Sequence, residues 1–500
     1  MGRDWIRRDF LRSATVAGGA LAGWDRLAGL AKAEEAKVGP EVVRLRPEIE
    51  PVVRWIEETP REGAFEKAVA ELKGGLSYRS LLGGLFLAGI RNIQPRPVGF
   101  KFHAVMVINS AHMLGQSAPT SERLLPLFWA LDNFKNSQAQ DVAEGDWALG
   151  PVDEAKVPKP HRAREDFLRA MEAWDVDGAD VAAAGLCRGA GAAEAMEPFW
   201  RMAVRDQRNI GHKPIFAAQS WRTLQAIGWE HAEPVLRSLA YGLLDLRGDR
   251  PGPVGPYEEN LKNAGEIGPD WQVGRADPAA TLALLATLRE ASPEAASAEA
   301  VRLLKEGVAP GSIWDAVLLF SSELMMRNPG IVALHATTSA NSLHYIYGAS
   351  GDETTRKLAL LQAVGWQPLY RERIKSPDPV RIDEIPDDAE VSTDPEGIAA
   401  LFDAVGRDRA MAAAETVSFL ARGGSAQSLF DAASRMIFHK GTDSHDYKYG
   451  AAVAEECLIA HDPKWRPRLA AAAMYHLPGA NRADSPLMIR AREAVASVMG

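Results

Sequence analysis

Four stretches of this chain repeat one layout, and that repetition limits the fold more than any other feature. Each reads as a helix, a glycine turn, a second helix, a short polar break, a helix opening at a histidine, and a last helix. Apolar residues recur at three- and four-residue spacing throughout, and long alternating Val/Ile/Thr runs are absent. The first stretch runs 64–73, Gly74-Gly75, 77–90, the break Arg91-Asn92, 103–114 and 121–135. In the second, helix from Phe167 to near Asp206 precedes Arg208-Asn209, 212–228 and 233–246. The third runs 297–306, Gly307, 312–326, Arg327-Asn328, 335–347 and 353–369. The fourth runs 410–421, Gly423-Gly424, 425–438, 445–460 and 464–476. Four modules, about 62–139, 164–247, 276–372 and 396–482, therefore make one all-α domain over residues 60–480. Arg-Asn suits a helix end, because arginine favours the last turn and asparagine tolerates a left-handed cap. The Pro/Gly/Asp-rich stretches 141–160, 247–277 and 372–395 read as linkers. The best strand candidate, Val380-Arg381-Ile382-Asp383, lies in the last of them.

Aligned by their third helix, the modules read His103-Ala-Val-Met, His212-Lys-Pro-Ile, His335-Ala-Thr-Thr and His445-Asp-Tyr-Lys. The chain has eleven histidines, and four of them share this one position. If the modules surround a pseudo-symmetric centre, equivalent positions converge on its axis. Four imidazoles meeting there are costly unless they are neutral and bonded. A metal resolves the conflict, because imidazole is a common ligand of iron, zinc, copper and nickel. The plainer alternative is a structural histidine copied four times with its module.

Neighbouring residues extend the pattern. His112 and His344 each lie nine positions after an aligned histidine, and Asn109-Ser110 matches Asn341-Ser342. Nine residues is two and a half turns, so these histidines face away from the metal and suit packing or a substrate pocket. His439 is a less regular candidate. Lys448 lies three residues after His445, on the same helical face. An ammonium is the wrong charge beside a metal unless neutralised or carboxylated; the simpler reading has Lys448 in solvent or paired with Asp446 or Glu415. Asp443 and Asp446 are placed to bind the metal or to accept from the His445 ring.

An all-helical chain with four dispersed histidines and a lysine three after the last resembles the questin oxidase-like family over most of residues 60–480. That family includes fungal enzymes that oxidatively open anthraquinone and related polyketide rings. The resemblance implies a non-haem iron held by His103, His212, His335 and His445, with Lys448 as a carboxylated ligand. It implies an oxygenase, monooxygenase or dioxygenase, acting with O2 on an aromatic or quinone-like small molecule. Trp129, Trp221, Trp229 and Trp366, with Tyr345, Tyr347 and Tyr447, are candidates to line the pocket. The other readings are a zinc-dependent hydrolase and a non-catalytic helical repeat that binds a partner.

Residues 1–33 read as an address. Ile6-Arg7-Arg8-Asp9-Phe10-Leu11-Arg12 resembles a twin-arginine export motif, an apolar run follows, and Ala31-Lys32-Ala33 has the form of a cleavage site. This predicts a periplasmic or secreted protein handled by the twin-arginine machinery, with no membrane span in its mature form. Cleavage there removes six basic and three acidic residues, taking the net charge from −9 to about −12. Such a balance argues against nucleic-acid binding. Two cysteines exclude a disulfide scaffold or a cysteine-rich cluster; Cys187 and Cys457 read as buried thiols.

Overall fold

Helix starts in this chain are written in Asp, Ser and Pro. Asp277, Ser292 and Asp394 each accept from the free N–H groups of a helix that opens on proline: Pro278–Glu290, Pro293–Lys305 and Pro395–Val405. Proline fits the first helical position because its fixed φ is helical and its missing N–H would have had no partner. The Pro/Asp-rich stretches are therefore partly helical. Segment 247–277 contains the helix Tyr257–Glu266, and the helix Leu125–Glu144 runs into segment 141–160.

The computed structural model describes residues 38–374 and 380–499; the export signal expected at 1–33 lies outside them. The fold is all-α. Among the described residues the strand-type pairing is one isolated bridge, Arg275 to Val308. The strand expected at 380–383 is absent. Ile382–Glu384 is a single 3-10 turn, and the N–H of Ile382 goes to buried Glu323 rather than to a neighbouring strand. No helix among the described residues is long and apolar enough to cross a membrane. Both cysteines are free; Cys457 is buried, and burial pushes its thiol up to about 12.

The Arg-Asn pairs sit at helix ends in different ways. Arg327 closes the helix Pro310–Arg327, whereas Arg91 and Asn92, expected as a break, are the last two residues of Tyr78–Asn92. Their arginines are anchors. Arg91 reaches Glu50 and Glu57, Arg208 reaches Asp206 and Asp249, and Arg327 reaches Glu323.

Five helices carry or follow the aligned histidines. His103 opens the short helix His103–Met106, which resumes after Val107 as Ile108–Gln116. His212 opens His212–Ile227, His335 lies one turn inside Ile331–Ala349, and His445 is the second residue of Ser444–Ile459. Each helix of this set packs against the next, and Ser444–Ile459 packs back on Ile108–Gln116, closing a ring. Polar bridges tie the ring. Asn109 donates to Gln219 at 2.6 Å, Asn341 donates to Glu455 and Glu456 at 2.7 Å, and Arg222 donates to Glu455 at 2.8 Å. The matched asparagines thus join neighbouring helices and do not reach the cavity described below.

Candidate metal centre

The ring brings the four aligned imidazoles to one end, where the N-termini of three long helices also meet. His212 and His335 stand Nε2 to Nε2 at 2.8 Å, and so do His103 and His445. The two pairs interlock: ring centroids are 4.9 Å apart for His103 and His212, and 5.3 Å for His335 and His445. The nitrogens of His103, His212 and His335 all lie within 4.8 Å of one another, close enough to share one ion. His103, His212 and His335 are buried and His445 is half-buried.

Proton accounting decides what these contacts are. His212 Nδ1 is 2.5 Å from the carbonyl of Asn209, and His335 Nδ1 is 2.7 Å from the carbonyl of Ile331. A carbonyl only accepts, so each Nδ1 carries the proton and each neutral ring turns a lone pair outward at Nε2. His445 Nδ1 donates to the Asp443 carboxylate at 2.5 Å, which fixes the same tautomer. Burial, followed by neighbouring Lys448 and the adjoining imidazoles, holds His103 and His212 well below the ordinary histidine range. His335 is held there by burial, then by His212 and Lys448. Protonation is therefore not available to bridge His212 and His335. Two lone pairs at 2.8 Å repel, and a cation shared between them removes the repulsion. His103 Nδ1 is buried without a partner.

Lys448 is buried, and its Nζ has no hydrogen-bond partner. Neither the solvent position nor the ion pair with Asp446 or Glu415 is seen. Burial pushes its ammonium down to about 7. Asp446 instead accepts from the backbone N–H of Thr442 and Asp443, closing a capping box with Asp443, and lies 3.3 Å from His476.

Backbone strain concentrates here. Asn209, Ile210 and Gly211 are left-handed in succession, with φ of 61°, 53° and 79°. For a β-branched residue such as Ile210 this is an outlier that the surroundings must impose. Tyr370 Oη donates to the Ile210 carbonyl at 3.1 Å, and the Gly211 N–H donates to the Gln207 carbonyl at 3.0 Å. A Cβ on Gly211 would come within 2.5 Å of Tyr370 Oη. The loop so held points the Asn209 carbonyl at His212. Gly99, with φ of 125°, likewise lies flat against the His212 ring, 3.0 Å from it at the position a Cβ would take.

The four histidines form the floor of a cavity of about 980 Å³. Its walls include Phe100, Lys101, Asn133, Arg208, Arg247 and Arg373. Of the six non-glycine residues with positive φ among the described residues, four line it: Phe100, Asn209, Ile210 and Arg247.

The expected aromatic wall is not there. Trp129 stacks on Tyr447 at 4.4 Å, Trp221 meets Trp200 and Trp229, Tyr345 meets Trp200, and Tyr347 meets Trp314. Trp366 is fully buried. Large rings bury more apolar area between helices than beside a wet cavity, and these side chains took the first option. His112 lies 3.1 Å from Tyr78 Oη, and His439 lies 3.1 Å from Glu122. His344 stacks on Trp314, donates to Glu456 at 2.7 Å and faces His461 at 3.1 Å. None of the three touches the centre. The Asn209 and Ile331 carbonyls and the cavity arginines were not anticipated from the sequence, in which only Gly211 directly before His212 hinted at a special backbone.

Compared with protein families, with curated proteins and with solved structures, the chain has no match.

Proposed function

We propose that this chain is a non-haem metalloenzyme, an iron oxidoreductase that uses O2 on a small organic molecule held above the four imidazoles. The observation that carries the metal is the contact between His212 and His335, two neutral rings whose facing nitrogens both bear lone pairs. His103, His212, His335 and His445 would hold the ion. The likeness of this set, with Lys448, to the questin oxidase-like pattern supports iron and O2. Iron held by such ligands supplies the redox chemistry that O2 needs to react with an organic molecule.

The chain's own residues do the rest. The Asn209 and Ile331 carbonyls and the Asp443 carboxylate orient three of the rings and raise their basicity. Lys448, buried, unpartnered and depressed toward neutrality, has an amine of the kind that takes up CO2. As a carbamate it would offer anionic oxygen to a hard or borderline ion. The cavity, about 980 Å³ with the four rings in its lining, has room for a small organic substrate beside the ion.

The test is metal identity together with O2 uptake. Purified protein should carry iron and consume O2 when hydroxylated aromatic compounds are supplied. Zinc in place of iron, with no O2 uptake, would reject this reading in favour of a hydrolase.

A further inference from the structure

From the charges that line the cavity, we infer that its substrate is an organic anion, a carboxylate or an ionised phenol, received by Arg247 and Arg373. This rests on the cavity above the four imidazoles being the substrate site.

Most charges around the cavity are already neutralised. Lys101 pairs with Asp141 at 2.7 Å and with Glu144 at 2.8 Å. Arg208 pairs with Asp206 at 2.9 Å and with Asp249 at 3.1 Å. Asp443 keeps its charge, but it is turned to the Nδ1–H and the backbone N–H of His445. Arg247 and Arg373 are left over: both are exposed, both line the cavity, and neither has a carboxylate partner among the described residues. Among the described residues, Arg247 and Arg373 are therefore the two cations of the cavity wall whose charge no carboxylate takes up.

Arg247 is placed at a cost. Its backbone is left-handed, with φ of 48°, and its guanidinium lies 5.5 Å from the ring centroid of Phe100. Phe100 is itself left-handed, with φ of 50°, and 64% exposed. Two strained residues presenting a cation and a bare ring at one cavity wall suit a ligand with a charged group and a flat apolar face. The helix ends act in the same direction. His212–Ile227, Ile331–Ala349 and Ser444–Ile459 all turn their N-termini, the positive ends of their dipoles, toward the centre. Arginine's fork suits the planar carboxylate, which it can bind through two parallel hydrogen bonds.

The experiment compares 1-hydroxy-2-naphthoate with its uncharged carboxamide, by fluorescence titration of the protein as isolated. The acid should bind at least about tenfold more tightly than the amide at low salt. In R247Q/R373Q that preference should fall to within about threefold, with circular dichroism and metal content unchanged. R247K/R373K should keep a clear preference for the acid. Equal binding of acid and amide by the wild type would overturn the inference. So would a preference that survives R247Q/R373Q, because the anion would then be read by the metal or by another group. Metal content measured on the same samples separates this from the proposed function. A metal-free protein that still prefers the acid sinks the function and leaves the anion site standing; a metal-loaded protein without preference does the reverse.

Discussion

His212 and His335, 123 residues apart in the chain, meet Nε2 to Nε2 at 2.8 Å while each gives its other ring proton to a backbone carbonyl. That contact is repulsive for two neutral rings and favourable around a shared cation. It makes specific demands on the residues that hold the rings in place.

Asp443 fixes His445 twice, accepting from its Nδ1 and from its backbone N–H, where it caps the helix Ser444–Ile459. Asp443→Ala should cost about 1 kcal/mol of stability from the lost cap. It should also weaken metal binding by roughly 10–100-fold, because the ring loses its orienting acceptor. Competition with a calibrated chelator measures the second effect. An unchanged metal affinity would show that His445 is not a ligand.

The loop before His212 predicts unequal responses at adjacent positions. Gly211→Ala places a Cβ against Tyr370 and Ser339 at positive φ, and should cost about 2–4 kcal/mol while reducing metal content. Ile210→Gly relieves a left-handed β-branched residue, and should cost less than about 1 kcal/mol or stabilise. Urea unfolding of the two variants checks both. Equal losses would mean that the loop carries no strain.

Lys448 offers a test of role against burial. Replacing a buried amine that has no partner with methionine removes a desolvated polar group, so metal-free Lys448→Met should be at least as stable as the parent. If Lys448 contributes to the centre, the same variant should hold metal at least about tenfold more weakly. Undiminished metal affinity and activity would remove Lys448 from the site.

Asp315 accepts from the N–H of His461 and Asp462 and so anchors the exit from the His445 helix. Burial pushes its carboxyl up to about 6. The unfolded value is about 4, so between roughly pH 4 and 6 the folded chain binds more protons than the unfolded one. Stability from this group therefore falls as pH rises through that window, by on the order of 3 kcal/mol. Asp315→Asn removes the slope. The stability gap between parent and variant, measured on metal-free protein, should shrink in the variant's favour from pH 4 to pH 7. A gap that is flat or widens would contradict the assignment.

Much of the frame was legible because duplication repeats a pattern. The helices at 64–73 and 410–421 start and stop within a residue of where spacing and glycine turns put them. The alignment of four histidines marked the end of the ring at which they meet. What escaped was non-local. Ile210 is left-handed because Tyr370, 160 residues away, holds its carbonyl, and nothing in the local sequence announces that. Arg247 and Arg373 reach one cavity from a linker-like stretch and a helix end more than 100 residues apart. The aromatic residues looked like pocket lining because composition cannot tell a ring packed between helices from one facing a cavity. Lys448 looked solvated because an i+3 spacing gives a face and not the depth of that face.

The most direct measurement is metal per chain in the parent and in His212→Ala/His335→Ala, by inductively coupled plasma mass spectrometry after expression in metal-replete medium. The proposed metal centre predicts about one metal ion per chain in the parent, and almost none in the double variant, with helical circular dichroism largely retained. A folded parent that carries no metal, or a double variant that keeps the parent's full complement, would contradict the account.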